Sequence, residues 1–132
     1  MRNEVVVREK VRDHLKASLP VGMVEHFFDT WLMIDADEET PAVMVYFDST
    51  EANTEYLDII DSKEGVLVVS IYLGASAHDR DLDEIGGQIE EVMPSGFRVP
   101  GIVRFIDFNS EYERSETGAY RALHINYSYK WE

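Results

Sequence analysis

From Leu123 to Trp131 the sequence alternates strictly between apolar and polar side chains. Because successive side chains of a β-strand point to opposite faces, this period of two predicts a strand with one buried face and one wet face. The turn residues 115–118 separate this strand from another candidate strand that precedes it. We predict that the runs from Gly101 to about Arg114 and from Ala119 to Trp131 form a long antiparallel hairpin, which joins a larger sheet.

Four further runs supply the rest of that sheet. Ala42–Phe47 is apolar on both faces, which is typical of a central strand. Gly65–Leu73 is long, β-branched and also buried in character. We expect Thr54–Asp61 to pair with it as a hairpin, because Asp61–Gly65 carries turn residues. The short aromatic segment Glu25–Asp29 is predicted to be a brief strand.

The first helix is predicted from Asn3 to about Ser18, where Val7, Val11 and Leu15 recur every four residues along one stripe. Charged residues fill its other side, so we expect it to pack on the sheet rather than to form an oligomer surface. Together these elements predict an α+β fold: a mixed, mainly antiparallel sheet with two main helices packed on it. With no linker or repeat in the pattern, we expect a single domain over residues 1–132.

The second helix is predicted from about Leu82 to Met93. Asp81, with Glu84 three residues later, suits a capping box at its start. Gly86 and Gly87 stand in its middle, where each glycine costs about 1 kcal/mol relative to alanine. We therefore expect either close packing of the helix on the sheet or on a neighbouring subunit, or a kink.

Charge and composition exclude several classes of function. The chain has 26 acidic and 12 basic residues, a net charge of -14, so we expect no direct DNA binding and no association with anionic membranes. It has no cysteine, which removes disulfides and thiolate chemistry. The N-terminus is charged throughout, unlike a signal peptide, and indicates cytoplasmic origin.

Candidate chemistry is sparse, and we expect no cofactor and no catalysis. The best candidates for metal ligands are four neighbouring carboxylates, those of Asp35, Asp37, Glu38 and Glu39. An EF-hand loop counted from Asp35 would need a glycine and a glutamate where the chain has Thr40 and Tyr46, so a solvated loop is the better interpretation. The four histidines lack ligand spacing, and each is predicted to be a surface or internally bonded histidine: His14, His26, His78 and His124.

Several short segments, taken in order, also bear on function. They are Phe27-Phe28-Asp29, the acidic loop, Pro41-Ala42-Val43-Met44-Val45-Tyr46, an acidic hairpin, the strand ending Ile71-Tyr72-Leu73, the helix ending Val92-Met93, and His124-Ile125-Asn126-Tyr127-Ser128-Tyr129. In this order and spacing the chain resembles the lambda-type phage tail terminator family (minor tail protein U) over nearly its whole length. The N-terminal helix differs from the family pattern in detail, and Gly96–Arg104 matches that pattern only in the general character of its residues.

The resemblance implies a structural protein of a phage or prophage. It would form a homohexameric ring that caps the completed tail tube, stops addition of the major tail protein and offers a surface to the head-completion (neck) protein. Its place would be the virion tail, and the host cytoplasm before assembly.

Ring or tube contacts are expected at polar, loop-like positions that can meet charged partners. One group of candidates is the acidic loop with Asp35, Asp37, Glu38 and Glu39, and another is the polar stretch His78, Asp79 and Arg80. The candidate cross-subunit partners of these carboxylates are Arg98, Arg104, Arg114 and Arg121. Local surface ion pairs within one subunit are an equally good interpretation of the same residues.

Two other functions remain open at this point. One is a small divalent-metal-dependent hydrolase or ligand-binding domain that uses the acidic loop from Asp35 to Glu39. The other is an acidic mimic that occupies a nucleic-acid-binding protein through its charge.

Overall fold

The computed structural model describes residues 3–52 and 63–132, which form two helices and six strands. The helices are α1 (Asn3–Ser18) and α2 (Asp79–Val92). The strands are β1 (His26–Phe28), β2 (Ala42–Ala52), β3 (Lys63–Gly74), β4 (Arg98–Val99), β5 (Val103–Arg114) and β6 (Tyr120–Trp131). In this part of the chain, neither helix combines the length and the apolar content that a membrane crossing requires.

All six strands belong to one sheet, in the order β1-β2-β3-β6-β5-β4. Only β1 and β2 run parallel, and the other four pairs are antiparallel. The α+β fold with a mixed, mainly antiparallel sheet is therefore confirmed. The C-terminal hairpin is also confirmed, since β5 and β6 pair from Val103 opposite Trp131 to Arg114 opposite Arg121.

Both helices cover the same face of the sheet. Val7, Val11 and Leu15 of α1 are fully buried there, as their four-residue spacing predicts. From α2, Leu82 and Ile89 are buried in the same cluster, against alternate residues of β2, β3, β5 and β6. This face holds the main core, whereas a smaller apolar cluster around Met44 and Tyr72 lies on the other face.

The predicted hairpin partner of Gly65–Leu73, which lies in β3, is wrong. β3 pairs with β2 on one side and with β6 on the other along Gly65–Tyr72, so no edge remains there for Thr54–Asp61. Thr54–Asp61 itself lies outside the described residues. The predicted turn Asp61–Gly65 is also too long at its C-terminal end, because β3 already begins at Lys63. A strand that is apolar on both faces predicts burial, but it does not identify its neighbours.

The second helix begins earlier than predicted. It starts at Asp79 and its cap residue is His78, so Asp81 occupies the third helical position instead of the cap. There its carboxylate accepts a hydrogen bond of 2.8 Å from the His78 backbone N–H, which is the reciprocal half of a capping box. Asp81 therefore serves the helix start from inside the first turn.

The two glycines of α2 differ in their surroundings. A Cβ added at Gly86 would lie 2.7 Å from Leu123 Cδ2, whereas one at Gly87 would meet nothing within 4 Å. Close packing of the helix on the sheet, one of the two explanations offered for these glycines, therefore applies to Gly86. Gly87 is exposed, and nothing in the structure explains it.

Candidate functional site

The face of the sheet opposite the helices carries polar and aromatic side chains on adjacent strands. Strand register places Met44, Ser70, His124 and Glu111 directly opposite one another on β2, β3, β6 and β5. Because side chains alternate along a strand, all four belong to the same face. The sheet itself therefore brings together residues that are far apart in the sequence.

A continuous chain of hydrogen bonds crosses this face. Tyr46 Oη lies 2.9 Å from Ser70 Oγ, and Ser70 Oγ lies 2.6 Å from His124 Nδ1. His124 Nε2 lies 2.7 Å from Glu113 Oε1, and the Tyr120 hydroxyl donates to the other oxygen of Glu113 over 3.1 Å. Five side chains from four strands are thus linked in one network.

The carboxylate end sets the direction of the network. An ionised Glu113 only accepts, so His124 donates to it from Nε2. In the neutral tautomer of the imidazole that carries its proton on Nε2, Nδ1 accepts from the Ser70 hydroxyl. Ser70 then accepts from the Tyr46 hydroxyl. Although serine, histidine and glutamate also form catalytic triads, Ser70 is 0% exposed and offers no nucleophile to a substrate in this arrangement. The network instead satisfies a hydroxyl that is buried in the sheet.

A cleft of about 460 Å³ opens above this network. The rings of Trp31, Tyr46, Tyr72 and Tyr120 contribute to its lining. Trp31 comes from the loop between β1 and β2, and its side chain lies close enough to Tyr72 to influence the pKa of that phenol. The cleft is therefore bounded partly by the sheet and partly by that loop.

The electrostatic character of the cleft is negative. Asp48, Glu111 and Glu113 are among its lining residues, which include no lysine or arginine from the described part of the chain. Burial raises the pKa of Tyr46, and these three carboxylates raise it further, against the opposing effect of the hydrogen bond to Ser70. Burial likewise raises the pKa of Tyr72 to about 12.

The acidic loop predicted as a metal or interface site folds upon itself. The Asp35 carboxylate accepts from the Asp37 backbone N–H at 3.0 Å, and the Glu39 carboxylate accepts from the Asp35 N–H at 2.9 Å. Glu38 and Glu39 also donate backbone N–H bonds to the Asp35 carbonyl. Across residues 3–52 and 63–132, no group of three or more potential ligands among histidine, aspartate and glutamate is placed to hold a metal ion.

The stretch at the start of α2 meets two of the predicted arginines within the same subunit. Asp79 accepts from Arg114 and, over 3.1 Å, from Arg121, so one carboxylate joins α2 to the β5–β6 hairpin. His78 caps the helix, as described above, and Arg80 is exposed.

Arg98 and Arg104 lie at the β4 end of the sheet. Arg98 forms a two-pronged ion pair with Glu132, with N–O distances of 2.7 and 2.9 Å. These hydrogen bonds lower the pKa of the Glu132 carboxylate below its ordinary value. Arg104 is exposed opposite Lys130. Roles of any of these residues in contacts between subunits stay a prediction.

The histidines follow the sequence prediction. His124 is held by Ser70 and Glu113, and His14 Nε2 lies 2.7 Å from the Val92 carbonyl oxygen. The cleft itself was missed by sequence reasoning. One signal was present, because Ser70 is the single polar side chain between Val66 and Leu73 in an otherwise apolar run.

Exposed apolar side chains mark two other surfaces. Among the described residues, the large exposed hydrophobic side chains are Val21, Trp31, Met33, Ile106 and Tyr112. Val21 and Met33 lie in the loops that flank β1, and we call them the β1-edge patch. Ile106 lies on β5, beyond the residues that pair with β4, and we call this position the β5-edge patch. Trp31 and Tyr112 instead line the cleft. The two patches lie toward opposite edges of the sheet, because β1 is one edge strand and β5 is next to the other.

Comparisons with known proteins agree with this architecture. The sequence model of a family described as phage minor tail protein U matches residues 2–131. No match is found among curated protein sequences. Among solved structures, a chain whose name states no function aligns over 100% of this protein and 96% of its own length, with a TM-score of 0.64 and 12% identity. A chain from the virion of a native gene transfer agent particle aligns over 97% and 91%, with a TM-score of 0.55 and 11% identity.

Proposed function

Because the chain belongs to the phage minor tail protein U family and so has a structural role in a phage tail, we propose that it is the tail terminator. In this role a homohexameric ring caps the tail tube, stops addition of the major tail protein and presents a surface to the head-completion protein. The family match over nearly the whole chain is the observation that carries the proposal. The fold shared with a chain of a gene transfer agent virion supports it.

The two edge patches supply a physical route to a ring. A head-to-tail interface joins two different surfaces of the same subunit, and it closes into a ring when the rotation between subunits permits. The β1-edge patch and the β5-edge patch are different surfaces toward opposite edges of one sheet, and β1 and β5 are separated by four strand spacings of about 4.8 Å each. Exposed apolar side chains such as Met33, at 88% exposure, favour burial against a partner.

Charged residues then contribute to the orientation of one subunit relative to its neighbour. Within residues 3–52 and 63–132, neither Arg80 nor Arg104 has a carboxylate within ion-pairing distance. Both are exposed, so each is a candidate to meet a carboxylate of the loop from Asp35 to Glu39 in a neighbouring subunit or in the tube protein. Such contacts would offset part of the repulsion among subunits that each carry a net charge of -14.

The same charge suits a passage for DNA. A ring of strongly acidic subunits repels the phosphate backbone and does not hold the duplex as it passes. The role requires no catalysis and no cofactor, because binding to the end of the tube is sufficient to stop further growth.

Electron microscopy of the purified protein, combined with light scattering, tests the proposal. We expect six-fold rings with a central hole, and tubes of the major tail protein that stop growing when the protein is added. Met33→Asp and Ile106→Asp should each abolish rings, whereas Ala17→Asp, which adds the same charge on an exposed position of α1, should leave them intact. A strict monomer at high concentration, with and without magnesium, that also fails to stop tube growth would contradict the proposal.

A further inference from the structure

The cleft on the helix-free face has a composition that favours a cationic group. Three carboxylates, those of Asp48, Glu111 and Glu113, lie around it, and among the described residues neither a lysine nor an arginine lines it. The Glu113 carboxylate is bonded to His124 and Tyr120. A cation entering the cleft would gain from the carboxylates around it, and an anion would be repelled.

The aromatic lining of the cleft favours a planar cation that can stack on a ring. Faces of tyrosine and tryptophan rings attract cations, and a planar guanidinium can in addition stack on a ring. Trp31 is 54% exposed, so its ring is accessible at the mouth of the cleft. Nearby on β5, Arg114 lies over the Tyr112 ring at 5.9 Å, which is an example of the same contact made within the chain.

None of the arginines in the described part of the chain lines this space. Arg114 and Arg121, on the adjoining hairpin, are both bound to Asp79 at the start of α2, on the opposite side of the sheet. The volume of about 460 Å³ lies within the range of roughly 300–1,000 Å³ that is typical of ligand sites. It can accommodate a side chain together with part of the segment that carries it.

We propose that this cleft binds an arginine side chain presented by a partner protein, with Trp31 stacked on the guanidinium and Glu111 and Asp48 facing its N–H groups. The Ser70–His124–Glu113 network positions the floor of the cleft and holds the third carboxylate in place. The proposal goes beyond the terminator role and does not depend on ring formation, since a monomer presents the same cleft.

Nuclear magnetic resonance of the isotope-labelled full chain tests the proposal with two peptides. One is acetyl-Gly-Arg-Gly-amide, and the other carries citrulline, the neutral isostere of arginine, in its place. We expect saturable shifts of the Trp31 indole N–H and of the backbone amides of Glu111 and His124 with the arginine peptide. The citrulline peptide should bind about ten-fold more weakly. The Trp131 indole N–H, which is buried outside the cleft, serves as the internal reference.

Variants separate the cleft from the general acidity of the protein. Glu111→Gln and Trp31→Leu should each weaken binding of the arginine peptide about five-fold. Glu116→Gln removes one charge from the β5–β6 turn, outside the cleft, and should leave binding unchanged. Equal binding of both peptides, or an equal effect of Glu116→Gln, would overturn the proposal. So would shifts of the cleft resonances on dilution of the protein alone with no response to the peptide, because a second copy would then be the occupant.

Discussion

Ser70 and His124 lie directly opposite each other on β3 and β6, and their Oγ and Nδ1 atoms are 2.6 Å apart. The contact joins the two central strands of the sheet by side chains as well as by their backbone ladder. Because Ser70 is fully buried, its hydroxyl has no water to replace these partners. The pair is therefore the structural centre of the helix-free face.

Ser70→Ala should lower the free energy of unfolding by about 1–3 kcal/mol, because Tyr46 and His124 each lose a hydrogen-bond partner in a part-buried place. Urea denaturation measures the change. Ser128→Ala, an exposed position on β6, is the matched control and should change stability by about 0.5 kcal/mol or less. Equal effects of the two substitutions would show that the network contributes nothing to stability.

Gly86→Ala and Gly87→Ala should have opposite signs. At Gly87 the new methyl group meets nothing, so the helix gains about 1 kcal/mol from propensity. At Gly86 the same gain is outweighed by overpacking of about 1–3 kcal/mol, since the Cβ would approach Leu123 to 2.7 Å. Midpoints of urea denaturation compare the two variants directly. A stabilised Gly86→Ala variant would mean that Leu123 moves aside without cost.

Tyr127→Phe should destabilise the protein by about 1–2 kcal/mol. The buried hydroxyl of Tyr127 donates to the Met93 carbonyl over 3.0 Å and so ties the end of α2 to β6. Burial also raises the pKa of this phenol. Tyr112→Phe, which removes an exposed hydroxyl bonded to Asp83, is the control and should cost about 0.5 kcal/mol or less. Thermal and urea unfolding should rank the two variants in the same order.

Stability should fall in alkali partly through Tyr72. Burial raises its pKa to about 12, above the ordinary value of 10.0, so the folded state retains a proton that the unfolded state loses. The contribution is fully present below pH 10 and is lost as the pH rises toward 12. Tyr72→Phe should therefore lose less stability than the unmodified protein over this interval. Parallel losses in the two proteins, measured by urea denaturation at each pH, would contradict the assignment.

The elements that the sequence predicted well are those in which each segment carries its own pattern. The alternation through β6 and the four-residue stripe of α1 place both elements within a residue or two of their observed bounds. These patterns arise because each element buries one face, and burial of one face gives the sequence a regular spacing of apolar residues. The start of α2 was placed three residues late, since Asp79, Asp81 and Asp83 offer several equivalent starts.

Strand neighbours and the cleft could not be predicted in the same way. The run around Val68 is apolar on both faces whichever strands flank it, so its pairing with β2 and β6 leaves no trace in the local sequence. The cleft joins side chains that are diagonal to one another across four strands. Tyr46 meets Ser70 and His124 meets Glu113 only after the register of the whole sheet is known.

The placement of apolar side chains at opposite edges of one sheet has a consequence for mixed populations. In the head-to-tail ring that we propose, a subunit with an intact β1-edge patch and a damaged β5-edge patch could still join a growing arc, but it would accept no successor. A single such subunit leaves an arc that never closes. A small fraction of defective chains would therefore prevent a large fraction of assemblies from closing, and the defect would be dominant over the intact copies.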